Sequence, residues 1–309
     1  MQNDQVIAFK AKMMKISFDR IQRSLVKIIL PVLLTVTAVS QTSNKCAGLP
    51  DYQKLKAALT SVVKQGKEAN SGLGNPEWAT IVNRDGIVCA IVFSGPDRSV
   101  EWPGSRLISA EKANTANALS GPNFAFSTAN LFTASQPGQS LYSLATSAPP
   151  NPQAAFAGPP DSFGQSNDPM VGKPIGGIIV FGGGVALYES KGKIIGGLGV
   201  SGDTSCADHV IAWKVRHSLG LDHVPYGVAP GQNDNMILDI QNGASASGFG
   251  HPSCKGGKPP DEIIKHLPEE FKTKAGNQAP ATLPIIICKS CEAVEKDNLL
   301  VCHSIINAC

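Results

Sequence analysis

The sequence has few charged and few aromatic residues, 17% and 6% of its 309 positions, and no stretch interleaves lysines with aromatics. Surfaces that bind nucleic acid carry such basic clusters, so we expect no nucleic-acid partner. Residues 1–40 hold six of the 27 Lys and Arg and two of the 24 Asp and Glu, which leaves 21 basic and 22 acidic residues after position 40. The main part of the chain is therefore close to neutral.

The sequence also lacks an apolar run long enough to span a membrane easily. A spanning helix needs roughly 20 apolar residues, whereas the apolar run IILPVLLTVTAV covers only residues 28–39. Six basic residues precede it, and Ala38 and Ser40 are small enough for cleavage by a signal peptidase. The pattern predicts a signal peptide over residues 1–40 and a periplasmic or secreted protein with no stable membrane insertion after cleavage. An uncleaved membrane anchor is the alternative.

Familiar catalytic motifs are missing. The sequence has no G-x-S-x-G, no H-E-x-x-H and no recognisable pair of acidic residues. Such motifs place a serine nucleophile or a catalytic zinc ion. The sequence therefore predicts no catalytic residue, although enzymatic activity stays open as an alternative.

All eight cysteines follow the predicted cleavage point, at positions 46, 89, 206, 254, 288, 291, 302 and 309. An even number of cysteines in an exported chain favours disulfides over free thiols, but spacing alone does not assign the pairs. Four of them lie in residues 272–309, which are expected to form a linker and a Cys-rich tail.

The tail contains CKSC at 288–291, but covalent haem attachment needs Cys-x-x-Cys-His, and position 292 is a glutamate. The tail could instead form a zinc site or two disulfides, and export favours the disulfides. The candidate zinc ligands are Cys288, Cys291, Cys302 and His303.

Hydrophobic periodicity predicts one domain over residues 41–271. The expected elements are a helix within 50–70, strands at 78–83 and 86–93 around an Asp-Gly turn, a helix at 105–120, strands at 176–189 and 193–200, and a helix from Thr204 to Leu219. Residues 121–175 lack periodicity, so we expect a long irregular insertion there, either functional or flexible.

The glycines at 197, 199 and 202 match the G-x-G-x-x-G spacing of dinucleotide-binding folds. However, no strand precedes Asp222, and Asp203 would repel a pyrophosphate from the helix start. We therefore expect Ser201 or Asp203 to cap the helix. The many glycines of the two neighbouring strands are expected to leave a shallow face for a planar ligand or a second subunit.

The sequence resembles the GlcG/HbpS-like family of haem-binding domains, which is related to the C-terminal domain of PduO-type proteins. The matching elements, in order, are NRDGIVCAIVFSG, KANTA at 112–116, the GG-x-x-x-x-x-GG stretch from Gly176, and GKIIGGLGVSGDTSCADHVIA at 192–212. The resemblance covers roughly residues 50–220. The signal peptide, the insertion at 121–175 and the Cys-rich tail depart from the family pattern.

The resemblance implies an α/β (α+β) fold, with an antiparallel sheet and flanking helices like those of profilin or PAS domains. It also implies a homo-oligomer that binds non-covalent haem or a similar planar tetrapyrrole, in some members a corrinoid. Lys112 and Thr115 would face the ligand or a subunit interface, where a lysine can pair with a propionate. A solvent-exposed Lys112 is the alternative.

Steps of four residues place His209, Trp213 and His217 along one helical stripe, with Arg216 beside it. The stripe could offer an imidazole to iron, an indole to the porphyrin and a guanidinium to a propionate. Gly199 and Gly202 would border the same cofactor site. The competing interpretation is that Trp213 belongs to the core while His209 and His217 lie on the helix surface.

The alternative iron ligands are His217 and His251. His217 lies near the C-terminal end of the predicted helix, where a cation is favoured. His251 lies in a glycine-flanked loop near Cys254, where a plain disulfide loop is the alternative interpretation.

The sequence-based hypothesis is an exported protein that sequesters, carries or senses haem. Two alternatives stay open. One is a haem- or corrinoid-dependent redox enzyme, for example one that degrades peroxide. The other is an oligomeric interaction module without a cofactor.

Overall fold

A computed structural model describes residues 45–269 of the chain. The chain divides into two units, residues 1–47 and 48–309, and the fold is that of the second unit. The predicted signal peptide at 1–40 and the predicted Cys-rich tail at 272–309 lie outside the described residues. The proposed cleavage site, tail disulfides and tail zinc site therefore stay predictions.

The centre of the domain is a four-stranded antiparallel sheet in the order β2-β1-β4-β3. The strands are β1 Trp78–Asn83, β2 Val88–Phe93, β3 Gly184–Tyr188 and β4 Ile194–Ser201. Strands β5 Ile240–Gln241 and β6 Ala244–Ser245 pair with each other and form a separate two-stranded antiparallel sheet. The predicted antiparallel α+β fold is confirmed.

Helices flank the sheet and fill the connections. They are α1 Tyr52–Val63, α2 Gly66–Asn70, α3 Ser105–Leu119, α4 Leu144–Ser147, α5 Pro152–Ala155, α6 Ser205–Ser218 and α7 Pro260–Ile264. Within residues 45–269, no helix is both long and apolar enough to cross a membrane.

One face of the sheet packs against α1 and α6. Alternate residues of the strands point to this face, because side chains on a strand alternate between its two sides. The cluster holds Leu55, Leu59, Val62, Ala79, Ile81, Ala90, Val92, Val185, Leu187, Leu198, Val200, Ile211, Ala212 and Val215, all buried. This core holds α1 and α6 on the same side of the sheet.

Helix α3 covers the opposite face and lies directly on the glycines of β3 and β4. A Cβ added to Gly199 would overlap the carbonyl oxygen of Ser109, and one added to Gly197 would overlap that of Ala113. The expectation of a shallow open face is therefore wrong for these glycines. Their missing side chains let the backbone of α3 approach the sheet closely.

The insertion at 121–175 contains more structure than expected. It includes α4, α5 and several short 3-10 turns. Met170 and Ile175 are buried against Trp78 and Ile91 on the α3 side of the sheet. The insertion is therefore part of the core.

One predicted strand bound and one predicted helix cap are corrected by the structure. The strand expected at 176–189 is ordered as a strand only from Gly184, because Gly176, Gly177 and Gly183 adopt φ values of 65°, 75° and 118°, which break an extended run. Thr204 caps α6 through its side chain, which accepts from the N–H of Ala207. The prediction of Ser201 or Asp203 as this cap is wrong.

Candidate functional site

Of the predicted stripe on α6 and its neighbour, His209, Trp213 and Arg216 face the interior, whereas His217 is partly exposed. The rings of His209 and Trp213 lie 6.1 Å apart, and the Arg216 guanidinium lies 4.7 Å from the Trp213 ring. All three side chains are buried. The interpretation of Trp213 as a core residue is confirmed, and that of His209 as a surface residue is wrong.

The Nε2 atom of His209 accepts a hydrogen bond from the Met236 N–H at 3.1 Å, and the side chain of Asn235 lies 3.2 Å away. This places the ring proton on Nδ1, which has no hydrogen-bond partner within residues 45–269. Burial lowers the pKa of His209 to about 4, so the ring is neutral near pH 7. Asn235 and Met236 would have to move before Nε2 could bind iron, and the ligand role of His209 stays a prediction.

The polar groups of Trp213 and Arg216 already have partners within the chain. Arg216 donates two hydrogen bonds of 2.8 Å to Asp234, and Trp213 Nε1 donates to the carbonyl oxygen of Pro268 at 2.9 Å. A bidentate arginine–carboxylate pair of this kind is strong when buried. A propionate would have to displace Asp234 to reach Arg216.

Lys112 lies in the middle of α3 with none of its side chain exposed, so the alternative of a solvent-exposed lysine is wrong. Its Nζ donates to Asp208 at 2.6 Å and to the carbonyl oxygen of Val200 at 3.0 Å. Thr115 is also buried, and its hydroxyl donates to the carbonyl oxygen of Glu111 and accepts from the Ile179 N–H. The predicted ligand or interface role of Lys112 and Thr115 is not tested by these contacts.

A buried acidic cluster surrounds the Lys112 ammonium. Burial and the neighbouring Asp208 raise the pKa of Glu77 well above its ordinary value. Burial also raises the pKa of Asp208, while Lys112 acts in the opposite direction. We therefore assign the proton to Glu77 and the negative charge to Asp208. The sequence offered no signal for Glu77, because its partners lie far away along the chain.

Gly202 and Asp203 form a turn that has no room for a phosphate. A Cβ on Gly202 would overlap the carbonyl oxygen of Pro76. The Asp203 carboxylate accepts from the backbone N–H groups of residues 73, 74 and 75 and from that of Thr204. The turn thus joins two segments of the chain, in agreement with the rejection of a dinucleotide site.

A groove of about 940 Å³ opens between α1 and α6. Its size falls within the range of small-molecule and cofactor sites. The lining residues combine two imidazoles, two lysines and small or apolar side chains. They are Lys54, Ala57, Ala58, Ser61, Val62, Gln65, Lys214, His217, Ser218, Leu219, His266 and Pro268.

Both histidines of the groove are oriented through Nδ1. His217 Nδ1 lies 2.7 Å from the buried carboxylate of Asp222, and His266 Nδ1 lies 2.6 Å from the carbonyl oxygen of Glu262. A proton donated from Nδ1 leaves the lone pair on Nε2, and metal-binding histidines are typically held in this way. His217 was one of the alternative ligands suggested by the sequence, whereas His266 was not identified.

A second cavity, of about 480 Å³, lies over the loop that contacts His209. Asn235 and Met236 line it together with Ile237, Leu238 and Ile264. It has no histidine in its lining, so an imidazole ligand for iron would have to come from His209, which Asn235 and Met236 cover.

His251, the other alternative ligand, is buried beside a disulfide between Cys206 and Cys254. Its Nδ1 lies 2.7 Å from the carbonyl oxygen of Pro252, and its Nε2 accepts from the Gly182 N–H at 3.3 Å. Burial lowers the pKa of His251 to about 4. The disulfide anchors the loop containing His251 to the first turn of α6.

Comparison with solved structures finds several similar chains. Protein ORFY of Klebsiella pneumoniae is 24% identical, with 53% of this chain and 86% of that chain covered and a TM-score of 0.35. A PduOC:haem complex is 24% identical, with 56% and 96% covered and a TM-score of 0.36. A double mutant of HbpS from Streptomyces reticuli is 18% identical, with 55% and 87% covered and a TM-score of 0.31.

No curated protein sequence matches the chain significantly. The family model described as haem-degrading protein HbpS-like matches residues 52–216, more than half of the chain. The match runs from the first residue of α1 to Arg216 in α6, and so includes most of both helices that border the groove. The chain belongs to the HbpS-like family of haem-degrading proteins.

Proposed function

We propose that this protein binds haem non-covalently in the groove between α1 and α6. Membership of the HbpS-like family supports haem as the ligand. The single structural observation that favours the groove is its pair of Nδ1-anchored imidazoles, His217 and His266, which line the same surface groove.

The donor set of the groove fits haem. Imidazole is a common axial ligand of haem iron. Val62, Leu219 and Pro268 offer apolar contacts to a porphyrin, and Lys54 offers a cation to a propionate. Lys214 already donates to Gln65, Asn70 and the carbonyl oxygen of Ala69, so it adds a fixed positive charge at one end of the groove.

The glycine face does not fit haem, because α3 lies on it. His209 stands behind Asn235 and Met236, and Arg216 is held by Asp234. Ala57 and His266 of the groove are exposed, so the proposal places haem there.

Neighbouring residues would orient the two histidines toward the cofactor. Asp222 fixes the His217 ring, and Glu262 fixes the His266 ring through its carbonyl oxygen. Haem iron, when bound, supplies redox and ligand-exchange chemistry. Together with the predicted signal peptide, we propose that the protein sequesters, carries or senses haem in the periplasm or outside the cell.

The proposal is tested by titrating the full oxidised chain with haemin and following the Soret band. We expect a saturable change that ends at one haem per chain. Ala57→Trp should fill the groove and reduce affinity by at least about tenfold, since Ala57 is an exposed lining residue. Ala145→Trp, at an exposed position on α4, is the matched control and should bind like the wild type.

Each outcome is decisive. A colourless protein whose spectrum never departs from that of free haemin would contradict haem binding. Saturable binding that is equal in both tryptophan variants would contradict the groove while leaving haem binding intact.

Haem degradation is the second candidate function, favoured by the description of the matching family. It predicts loss of the Soret band and release of iron on addition of peroxide, at a rate well above that of free haemin. A Soret band that persists under these conditions would favour a carrier or a sensor.

A further inference from the structure

The buried group formed by Cys206, Cys254 and His251 has the composition of a metal site. One ligand atom from each residue lies within 4.8 Å of the other two. Among residues 45–269, it is the sole group of three or more Cys, His, Asp or Glu side chains that meets this criterion. In the structure the two sulfurs are joined as a disulfide.

The imidazole of His251 is oriented for metal binding. Its Nδ1 is 2.7 Å from the carbonyl oxygen of Pro252, and this contact places the ring proton on Nδ1 and the lone pair on Nε2. Metal-bound histidines usually donate their other N–H to a carbonyl or a carboxylate in this way. Nε2 meets only the N–H of Gly182, at 3.3 Å, so a metal would replace one long hydrogen bond.

The sulfur of Cys254 lies at the first turn of α6. It accepts from the Cys206 N–H at 3.2 Å, and the Ser205 hydroxyl is 3.4 Å away. Both contacts would persist without the disulfide if the backbone keeps its place. Hydrogen bonds from a helix N-terminus stabilise a negatively charged sulfur, which is the form that binds metal.

We propose that the disulfide between Cys206 and Cys254 is a redox gate over a Zn²⁺ site formed by these two sulfurs and His251. A dithiol reductant would transfer two electrons and two protons to the disulfide, giving two thiols and an oxidised reductant. Zn²⁺ then takes the place of the two thiol protons. Two Cys ligands and one His leave the fourth tetrahedral position to water, as in zinc sites that keep an open position.

The site is independent of the haem groove. It uses the N-terminal end of α6, whereas the groove histidine on α6, His217, lies three turns further along the helix. Failure of haem binding therefore leaves the zinc proposal untouched, and the reverse also holds.

The experiment uses the full chain with Cys288, Cys291, Cys302 and Cys309 replaced by Ser, because tail cysteines could bind zinc themselves. The protein is reduced with a dithiol, which is removed by gel filtration under argon before Zn²⁺ or Co²⁺ is added. We expect one additional Zn²⁺ per reduced chain relative to the oxidised chain, and thiolate-to-cobalt charge-transfer absorption with Co²⁺. Each metal should raise the melting temperature of the reduced chain.

His251→Ala in this background should weaken Zn²⁺ binding at least about tenfold. The Cys254→Ser variant lacks one proposed ligand, so the Zn²⁺ that it binds measures binding at other sites on the chain. Equal Zn²⁺ binding by the reduced background and by its Cys254→Ser variant would overturn the proposal. Should reduction loosen the fold, the melting temperature decides, because a reduced chain that Zn²⁺ does not stabilise has no such site.

Discussion

The ammonium of Lys112 lies 2.6 Å from the carboxylate of Asp208, and both side chains are buried. This ion pair connects the middle of α3 with the first turn of α6. Lys112 also donates to the carbonyl oxygen of Val200 near the end of β4. One buried charge pair thus joins the helices that cover the two faces of the sheet.

Lys112→Met should destabilise the fold by about 3–5 kcal/mol, because it leaves Asp208 buried without its cation. The free energy of unfolding in urea measures this loss. Lys265→Met is the matched control, since Lys265 lies 3.8 Å from Asp261 in an exposed pair, and exposed pairs contribute at most about 1 kcal/mol. Equal losses in the two variants would contradict the importance of the buried pair.

Gly199→Ala should destabilise the protein by about 3 kcal/mol or more, the upper range for overpacked cores. The added methyl group would meet the carbonyl oxygen of Ser109, which is backbone and cannot turn away. Thermal and urea unfolding both report the effect. Gly104→Ala is the control, because Gly104 has a φ of −64° and open space around its Cα. A stable Gly199→Ala protein would mean that α3 does not rest on β4.

His209 should make the protein sensitive to acid. The unfolded imidazole titrates near 6.5, while burial lowers the pKa of His209 to about 4 in the folded protein. Between these pH values the unfolded chain binds a proton that the folded chain does not, so stability falls as pH decreases from 6.5 to 4. The full contribution is about 3 kcal/mol.

Unfolding free energies of the wild type and His209→Gln, measured from pH 7.5 to 4, test this linkage. The variant should lose about 3 kcal/mol less over this interval, even if its stability at pH 7 is lower. Parallel curves for His209→Gln and the wild type would contradict a buried neutral imidazole.

The sequence predicted the elements with clear local signals. The run WATIVN alternates between two apolar faces and precedes an Asp-Gly turn, and β1 has the predicted bounds of Trp78 and Asn83. Helix α3 also begins at the predicted residue, Ser105. The upstream part of the expected third strand was wrong, because left-handed glycines such as Gly176 leave no trace in a pattern of apolar residues.

The candidate site was harder to predict, since it depends on contacts between distant segments. The sequence shows that Gly199 has no side chain, but not whether a cofactor or a helix occupies the space beside it. In the structure α3 occupies that space. The α6 periodicity predicted that His209 and Trp213 are neighbours, but not that both are buried. The groove brings α1 together with residues near His266, a pairing that no local pattern encodes.

The most direct test of the proposed haem site compares ferric haem spectra of the wild type with those of His217→Ala, His266→Ala and His209→Ala. The account predicts iron bound by a groove imidazole in the wild type and in His209→Ala. Loss of the groove histidine that binds iron should change the spectrum and weaken binding at least about tenfold. A spectrum that changes in His209→Ala and stays the same in both groove variants would contradict this site. It would indicate His209 on α6 as the iron ligand instead.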